Sequence, residues 1–305
     1  MFPSTSRGSE LQSCVQALAC TFESGSTTSP GVPQQNIRPF CTNKTHRSFH
    51  EDVNSSTLQK KSYIIDDVCE SLCNLPDTTG TGKNIKDRLG QMEVRLLQQL
   101  LDKADTSLEI RPGGNSQDTR TALQTLAKTY YPIFNKMLFG GLLTDYVANF
   151  VAYNIEELRK QDSNSEVVLR DTRGFYQDNT RTIHLNLKPI SLSLVATPKQ
   201  AYIAALIHEM LHAYFWAYAC KCANWCYQDQ LLQNTFGKTF HEVAWIPCMV
   251  AIARVLGRDL NWRVDLGIAL SLEAEEEASG YAVPAELLAI WSLYRVNMGG
   301  VRVVC

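Results

Sequence analysis

The sequence predicts an α+β fold, in which helices pack around a small sheet. Four segments have apolar residues at helical spacing, namely residues 93–104, 119–137, 199–219 and 239–256. Three segments between the second and third of these have strand-like alternation, at residues 145–153, 167–170 and 182–187. The order of two helices, strands and two further helices is typical of an α+β domain.

Local signals support these helices and mark one interruption. Thr197 and Pro198 supply an N-cap and a first helical residue for the 199–219 segment. Pro132 predicts a boundary or a kink within the 119–137 segment, because proline removes a backbone donor and clashes with the preceding turn.

Composition divides the 305-residue chain into three regions. Residues 1–84 are rich in Ser, Thr, Gly, Pro, Asn and Gln and are expected to be disordered. Residues 85–260 are expected to form the folded domain, and residues 261–305 a helical extension. Within that extension, the glutamates of 273–277 are interpreted as a solvated helix face, and a last helix is predicted over 284–296.

Charge and hydropathy narrow the functional classes. A net charge of −2 gives no global electrostatic reason to expect nucleic-acid binding. No run of about 18 apolar residues is present, so a membrane partner is not expected. The N-terminus lacks an apolar core of signal-peptide length. We therefore expect an intracellular protein of the nucleus or cytoplasm.

Residues 208–212 have the sequence His-Glu-Met-Leu-His, an H-E-x-x-H motif inside the third predicted helix. Histidines four residues apart lie on one face of a helix, so His208 and His212 can bind the same zinc ion. Glu209 is then placed to take a proton from a zinc-bound water. The motif predicts a catalytic Zn²⁺ site with Glu209 as general base.

A catalytic zinc usually has three protein ligands, so a third is expected elsewhere. We predict His241, because it lies before an apolar helical run downstream of the motif. Glu242 is the alternative, since a carboxylate can also bind zinc. His184 lies in a predicted strand and is expected to pack or hydrogen-bond there, while His46 and His50 lie in the region expected to be disordered.

The ten cysteines are not arranged as a disulfide scaffold, so most are expected to be thiols in a reducing compartment. Cys220, Cys222 and Cys226 follow the motif helix directly. With Cys248 as fourth ligand they would form a structural metal site, but their spacing matches no paired C-x-x-C framework, which favours thiols without metal.

Three parts of the chain resemble the SprT-like metallopeptidase family, which includes the Spartan proteases. They are FNKMLFGGLL at 134–143, RGFY at 173–176 with IHLN at 183–186, and LIHEMLHAY at 206–214. The last closely matches the family's L-x-H-E-M-x-H-A-Y. The family's third ligand lies in an H-G-x-x-[FW] element, which 241–245 fits except that Glu242 replaces the glycine. A competing alignment keeps Gly237 as that glycine and puts Phe236 at the ligand position.

The resemblance covers about residues 120–255. It implies a zincin-like domain with a small antiparallel sheet and an HExxH helix. It also implies a zinc endopeptidase acting on proteins or peptides. An upstream strand, with that of His184 as the candidate, is expected to bind extended substrate by strand addition. Spartan-type relatives cleave proteins crosslinked to DNA, which makes DNA-associated proteins an implied substrate class.

Two other functional classes fit the same residues. A catalytically degenerate zincin-like domain would act as a binding or structural protein, and Glu242 at the family's glycine position favours it. A redox or metal-sensing module would be built on Cys220, Cys222 and Cys226.

Overall fold

The described elements contain both helices and strands. The computed structural model describes residues 51–53, 58–59, 63, 68–69, 72, 89–102, 117–154, 173–187, 197–219, 245–280, 282–283, 285–290, 293–295 and 301–303. The helices are α1 (Gln91–Leu101), α2 (Gln117–Phe139), α3 (Pro198–Tyr218), α4 (Trp245–Leu260), α5 (Ile268–Ser279) and α6 (Ala285–Ile290). The strands are β1 (Asn149–Tyr153), β2 (Gly174–Gln177), β3 (Thr182–Asn186), β4 (Leu293–Arg295) and β5 (Val301–Val303). This mixed content is compatible with the α+β prediction.

The chain forms two compact units. The sheet unit comprises residues 75–219 and 251–268, and the terminal unit comprises residues 1–74, 220–250 and 269–305. The sheet unit contains α1, α2, β1, β2, β3 and α3. None of the described helices is long and apolar enough to cross a membrane.

The sheet of the sheet unit is mixed, so the expectation of an antiparallel sheet is wrong for one of its two pairings. Its strand order is β1-β3-β2. β2 and β3 form an antiparallel hairpin, whereas β1 pairs in parallel with the other side of β3. Both edges of β3 are therefore occupied, and the expectation that the strand of His184 takes up an extended substrate is wrong. Among the described strands of this sheet, β1 and β2 are the edges.

Helix α3 begins at a capping box and is buried along nearly its whole length. The Thr197 hydroxyl accepts a hydrogen bond from the Gln200 amide at 3.2 Å, and the Gln200 side chain accepts one from the Thr197 amide at 3.1 Å. Pro198 occupies the first turn, so both predicted start signals are confirmed. Beyond Pro198, only His212 and Trp216 of this helix are not buried.

Three polar side chains fix α3 to its surroundings. The Tyr202 hydroxyl donates to the Leu187 carbonyl at 2.6 Å, and the Tyr218 hydroxyl donates to the Leu142 carbonyl at 2.7 Å. The Gln200 amide group donates to the Leu100 carbonyl at 3.1 Å. These bonds join both ends of the helix to α1, to the end of β3 and to the turn after α2.

Pro132 lies inside α2, which continues through it from Gln117 to Phe139. Pro132 is therefore not a helix boundary, which was one of the two alternatives predicted for it. A proline within a helix costs about 3 kcal/mol, because one backbone hydrogen bond is lost. The neighbouring residues Tyr131, Ile133 and Phe134 are buried, and the free energy of burying their side chains outweighs that loss.

The C-terminal predictions need two corrections. The predicted 284–296 helix ends at Ile290, and Leu293–Arg295 instead pairs with Val301–Val303 as an antiparallel hairpin. Glu275 of α5 is fully buried, so the glutamate run is not a uniformly solvated face. Glu275 shares one side of the helix with the buried residues Ser271 and Leu272, which precede it by four and three positions. The predicted strand at 167–170 lies outside the described residues.

Asn135 fixes the turn that follows α2. Its buried Oδ1 accepts a hydrogen bond from the Leu143 amide at 3.0 Å, and its Nδ2 donates to the Thr144 hydroxyl at 3.2 Å. Gly140 and Gly141 have φ angles of 60° and 82°, a region that favours glycine. The FNKMLFGGLL segment is thus a helix stop, made by an asparagine inside the helix and two glycines beyond it.

Replacing Asn135 with Ala is expected to lower the free energy of unfolding by about 1–3 kcal/mol, because the Leu143 amide loses its buried acceptor. The matched control is Thr125→Val. Thr125 is exposed on the same helix and its hydroxyl bonds only to the preceding turn, so its loss should stay within about 0.5 kcal/mol. Urea denaturation of the three proteins measures both values, and equal losses would contradict the role of Asn135.

Candidate metal centre

Helix α3 carries His208 and Glu209 into the interior of the sheet unit, and His212 lies half-buried one turn later. His208 is 8% exposed and Glu209 is 2% exposed. The two imidazole rings have centroids 5.1 Å apart and planes inclined by 56°. Two imidazoles that bind one zinc tetrahedrally at about 2.0–2.1 Å have centroids about 5 Å apart. The spacing of the rings therefore fits a shared zinc ion.

The His208 ring is oriented by a backbone carbonyl from a distant part of the chain. Its Nδ1 lies 2.9 Å from the Leu266 carbonyl oxygen. A carbonyl can only accept, so Nδ1 carries the proton and the lone pair is on Nε2. Histidines that bind metals usually donate their other ring N–H to a carbonyl or a carboxylate. His208 has the tautomer that a metal ligand needs.

An ion pair holds the segment that supplies this carbonyl. The Arg173 guanidinium donates to the Asp265 backbone oxygen at 2.8 Å and to its Oδ2 at 2.5 Å. The other carboxylate oxygen, Oδ1, accepts from the Gly267 amide at 2.8 Å. We call Arg173, Asp265, Leu266 and Gly267 the Arg173–Asp265 clamp. Its bonds fix the backbone on both sides of the Leu266 carbonyl.

Gly267 is favoured by its backbone conformation and lies next to the His208 ring. Its φ is +81°, which side chains rarely adopt, and a Cβ there would lie 3.4 Å from His208 Nδ1. The same Cβ would lie 3.8 Å from Cζ of Arg173. Both distances are ordinary packing contacts, so the positive φ is what favours glycine at this position.

Glu209 is a buried carboxyl beside the His208 ring. Its Oε1 lies 4.0 Å from His208 Nε2. Its Oε2 has no hydrogen-bond partner among the described residues. Gly174 of β2 makes room for this side chain, because a Cβ there would lie 3.0 Å from Cγ of Glu209 and 2.5 Å from the His184 carbonyl oxygen. A buried acceptor of this kind needs a water, an ion or a further group to satisfy it.

Burial sets the protonation of all three motif residues. It lowers the pKa of His208 to about 4, with the Leu266 carbonyl opposing the shift and the Arg173 charge adding to it. Burial and the neighbouring His208 hold the pKa of His212 well below its usual value. Burial raises the pKa of Glu209. Both imidazoles are therefore neutral at pH 7, as metal binding requires.

His184 lies on the other face of the sheet. Its ring stacks on Phe175 with centroids 4.2 Å apart, and its Nε2 lies 3.1 Å from the Gln177 side-chain oxygen. Side chains alternate along a strand, so the pair of Phe175 and His184 faces away from the pair of Gly174 and Leu185, which lies on the Glu209 side. The prediction that His184 packs and hydrogen-bonds on a strand is confirmed.

The third ligand stays a prediction. His241, Glu242 and the competing Phe236 lie outside the described residues, as do Cys220, Cys222 and Cys226. Within the described ranges, no group of three or more His, Cys, Asp or Glu side chains could hold a metal ion.

Sequence reasoning did not assign a role to Arg173, Asp265 or Leu266. Arg173 is the first residue of the RGFY segment, so the sequence showed its position but not its partner, Asp265. The contact with His208 uses a main-chain oxygen of Leu266, which no side-chain pattern can signal. The Gly267 that follows Asp265 and Leu266 was the one local hint of a special backbone.

Comparison of the chain with models of known protein families, with curated proteins and with solved structures finds no match. The likeness to the SprT-like family therefore rests on the three sequence segments described above.

Replacing Asp265 with Ala is expected to weaken zinc binding by about 10–100-fold, because the Leu266 carbonyl would no longer be fixed against His208. Asp145→Ala is the matched control, since Asp145 is exposed on the turn after α2. Zinc affinity is measured by competition with a chelator of known affinity. A folded Asp265→Ala protein with unchanged affinity would exclude the positioning role.

Proposed function

We propose that this chain is a zinc-dependent endopeptidase with a zincin-like domain similar to the SprT-like family. His208 and His212 hold the zinc, with His241 as third ligand. One observation carries the proposal: the His208 ring is fixed by the Leu266 carbonyl with its lone pair on Nε2, and the buried Glu209 carboxyl lies beside that nitrogen.

Glu209 is the general base of the proposed reaction. When bound, zinc polarises a peptide carbonyl and lowers the pKa of a water molecule to about 7. The carboxylate of Glu209 takes the proton of the attacking water and later delivers it to the leaving amine nitrogen. Glu209 is the one carboxyl residue between the two motif histidines in the sequence.

Strand β2 is the element we propose for substrate binding. It is an edge strand of the described sheet, and its Gly174 lies against Glu209. An extended peptide can add to such an edge through main-chain hydrogen bonds. Strand β2 thus takes the place that sequence reasoning gave to the strand of His184.

Proteins crosslinked to DNA are a narrower substrate class that only the resemblance supports. The net charge of −2 adds no electrostatic argument for it. Cleavage rates measured with and without single-stranded DNA separate the two cases. A rate that rises with DNA supports this class, and equal rates oppose it.

Replacing Glu209 with Gln is expected to keep zinc bound and to lower the cleavage of a denatured protein by at least about 100-fold, because the proton acceptor is lost. His208→Ala and His212→Ala should lose both the zinc and the cleavage. His184→Gln is the control and should keep the zinc, since His184 faces the opposite side of the sheet. Zinc is measured by elemental analysis.

Two outcomes of that experiment would replace the proposal. Undiminished proteolysis by Glu209→Gln would exclude the assigned base. Wild-type protein that binds zinc through His208 and His212 but cleaves nothing, with or without DNA, would establish the alternative of a catalytically degenerate binding domain.

The third ligand is tested by zinc content of His241→Ala and Glu242→Ala. We expect His241→Ala to lose zinc and Glu242→Ala to keep it, because imidazole is the predicted ligand. Loss with Glu242→Ala alone would assign the carboxylate instead. If wild type binds little zinc and Phe236→His restores it, the competing alignment is correct and the His241 assignment is wrong.

A further inference from the structure

Two buried cysteines meet in the terminal unit, away from the motif residues in sequence. Cys248 lies in the first two turns of α4, and Cys69 lies in a short helical stretch with Val68. Their sulfur atoms are 2.7 Å apart. Cys69 is 6% exposed and Cys248 is fully buried. Both are thiols, and neither is part of a disulfide.

The separation of the two sulfurs is shorter than an ordinary packing contact. Non-bonded carbon atoms pack at about 3.5–4.0 Å, and sulfur is the larger atom. A disulfide bond is about 2.05 Å long. The two side chains therefore already point at each other, and a small side-chain adjustment would bring the sulfurs to bonding distance.

The surroundings keep this pair in place. Val68 and Leu72 are buried on the Cys69 segment, and Ile246 and Met249 are buried beside Cys248 on α4. Upstream on the Cys69 side, the fully buried Tyr63 donates a hydrogen bond to Asp52 at 2.8 Å and accepts one from the Gln59 amide at 2.7 Å. The segment that carries Cys69 is thus anchored by packing and by hydrogen bonds.

We propose that Cys69 and Cys248 are an oxidisable pair, the site of a reversible disulfide that joins the N-terminal part of the chain to α4. The oxidant is a small disulfide such as oxidised glutathione. The Cys69 thiolate, on the less buried side, attacks one of its sulfurs and releases one glutathione thiolate. The Cys248 thiolate then attacks the Cys69 sulfur and releases the second. Two protein thiols become one disulfide, and one oxidised glutathione becomes two reduced molecules.

This pairing bears on the cysteine cluster that follows α3. A metal site made of Cys220, Cys222, Cys226 and Cys248 would require the Cys248 sulfur to leave Cys69. The contact at 2.7 Å favours Cys69 as the partner of Cys248. The proposal does not depend on the zinc site, because none of its residues belongs to the H-E-x-x-H motif or to the Arg173–Asp265 clamp.

The test uses the full-length protein, incubated or refolded with oxidised glutathione in the presence of a chelator, and then alkylated without reduction. Cleavage by trypsin together with a glutamyl endopeptidase releases residues 62–70 and 243–254, each with a single cysteine. This digestion separates Cys69 from Cys73, which a tryptic digest alone leaves on one peptide. Mass spectrometry then identifies which cysteines are linked.

We expect the two peptides to be recovered mainly as one cross-linked species that dithiothreitol separates. Cys69→Ser should abolish that species, and the matched control Cys73→Ser should leave it unchanged. Recovery of Cys69 and Cys248 as alkylated thiols from the oxidised protein would overturn the proposal. So would a Cys248 peptide linked mainly to Cys220, Cys222 or Cys226. Both of these contradicting outcomes are measured on the wild-type protein, so they do not depend on the folding of a variant.

Discussion

The burial of helix α3 is the constraint on which the rest of the sheet unit depends. A helix that runs through a protein interior needs partners for the polar side chains that it carries there, because little solvent is present to supply them, and Glu209 Oε2 is an exception. Gln200, Tyr202, Tyr218 and His208 each donate to a main-chain carbonyl of another segment. Those carbonyls therefore have fixed positions, and the turn after α2, the end of β3 and the segment around Leu266 are arranged around the helix.

Arg173 and Gly174, where β2 begins, position both His208 and Glu209 of the motif. Arg173 fixes the backbone that orients His208, and the adjacent Gly174 leaves the space that Glu209 fills. A displacement of this strand would change the ring orientation and the carboxyl position together. The proposed metal ligand and the proposed base are thus held by one short segment, which also forms an edge to which a peptide can add.

Elements that are marked by local sequence signals could be predicted from the sequence. Features that depend on residues far apart in the chain could not. The capping box of Thr197 and the apolar run after it predicted α3 to within a residue, because both are properties of adjacent residues. Pro132 does not end α2, because the packing of its buried neighbours outweighs its local cost. The parallel pairing of β1 and the Leu266 carbonyl join residues far apart in the chain, and no periodicity encodes such contacts. For the site, the motif predicted which side chains share a helix face, but not what orients them.

The position of Glu209 bears on the choice between a catalytic and a structural role for the proposed zinc. A structural zinc site is closed by four protein ligands and has no need of a general base beside it. A buried carboxyl whose Oε2 has no partner among the described residues is unfavourable for folding. A role confined to binding or structure therefore leaves this unfavourable carboxyl unexplained, whereas proton transfer to and from a substrate requires a carboxylate beside the His208 ring.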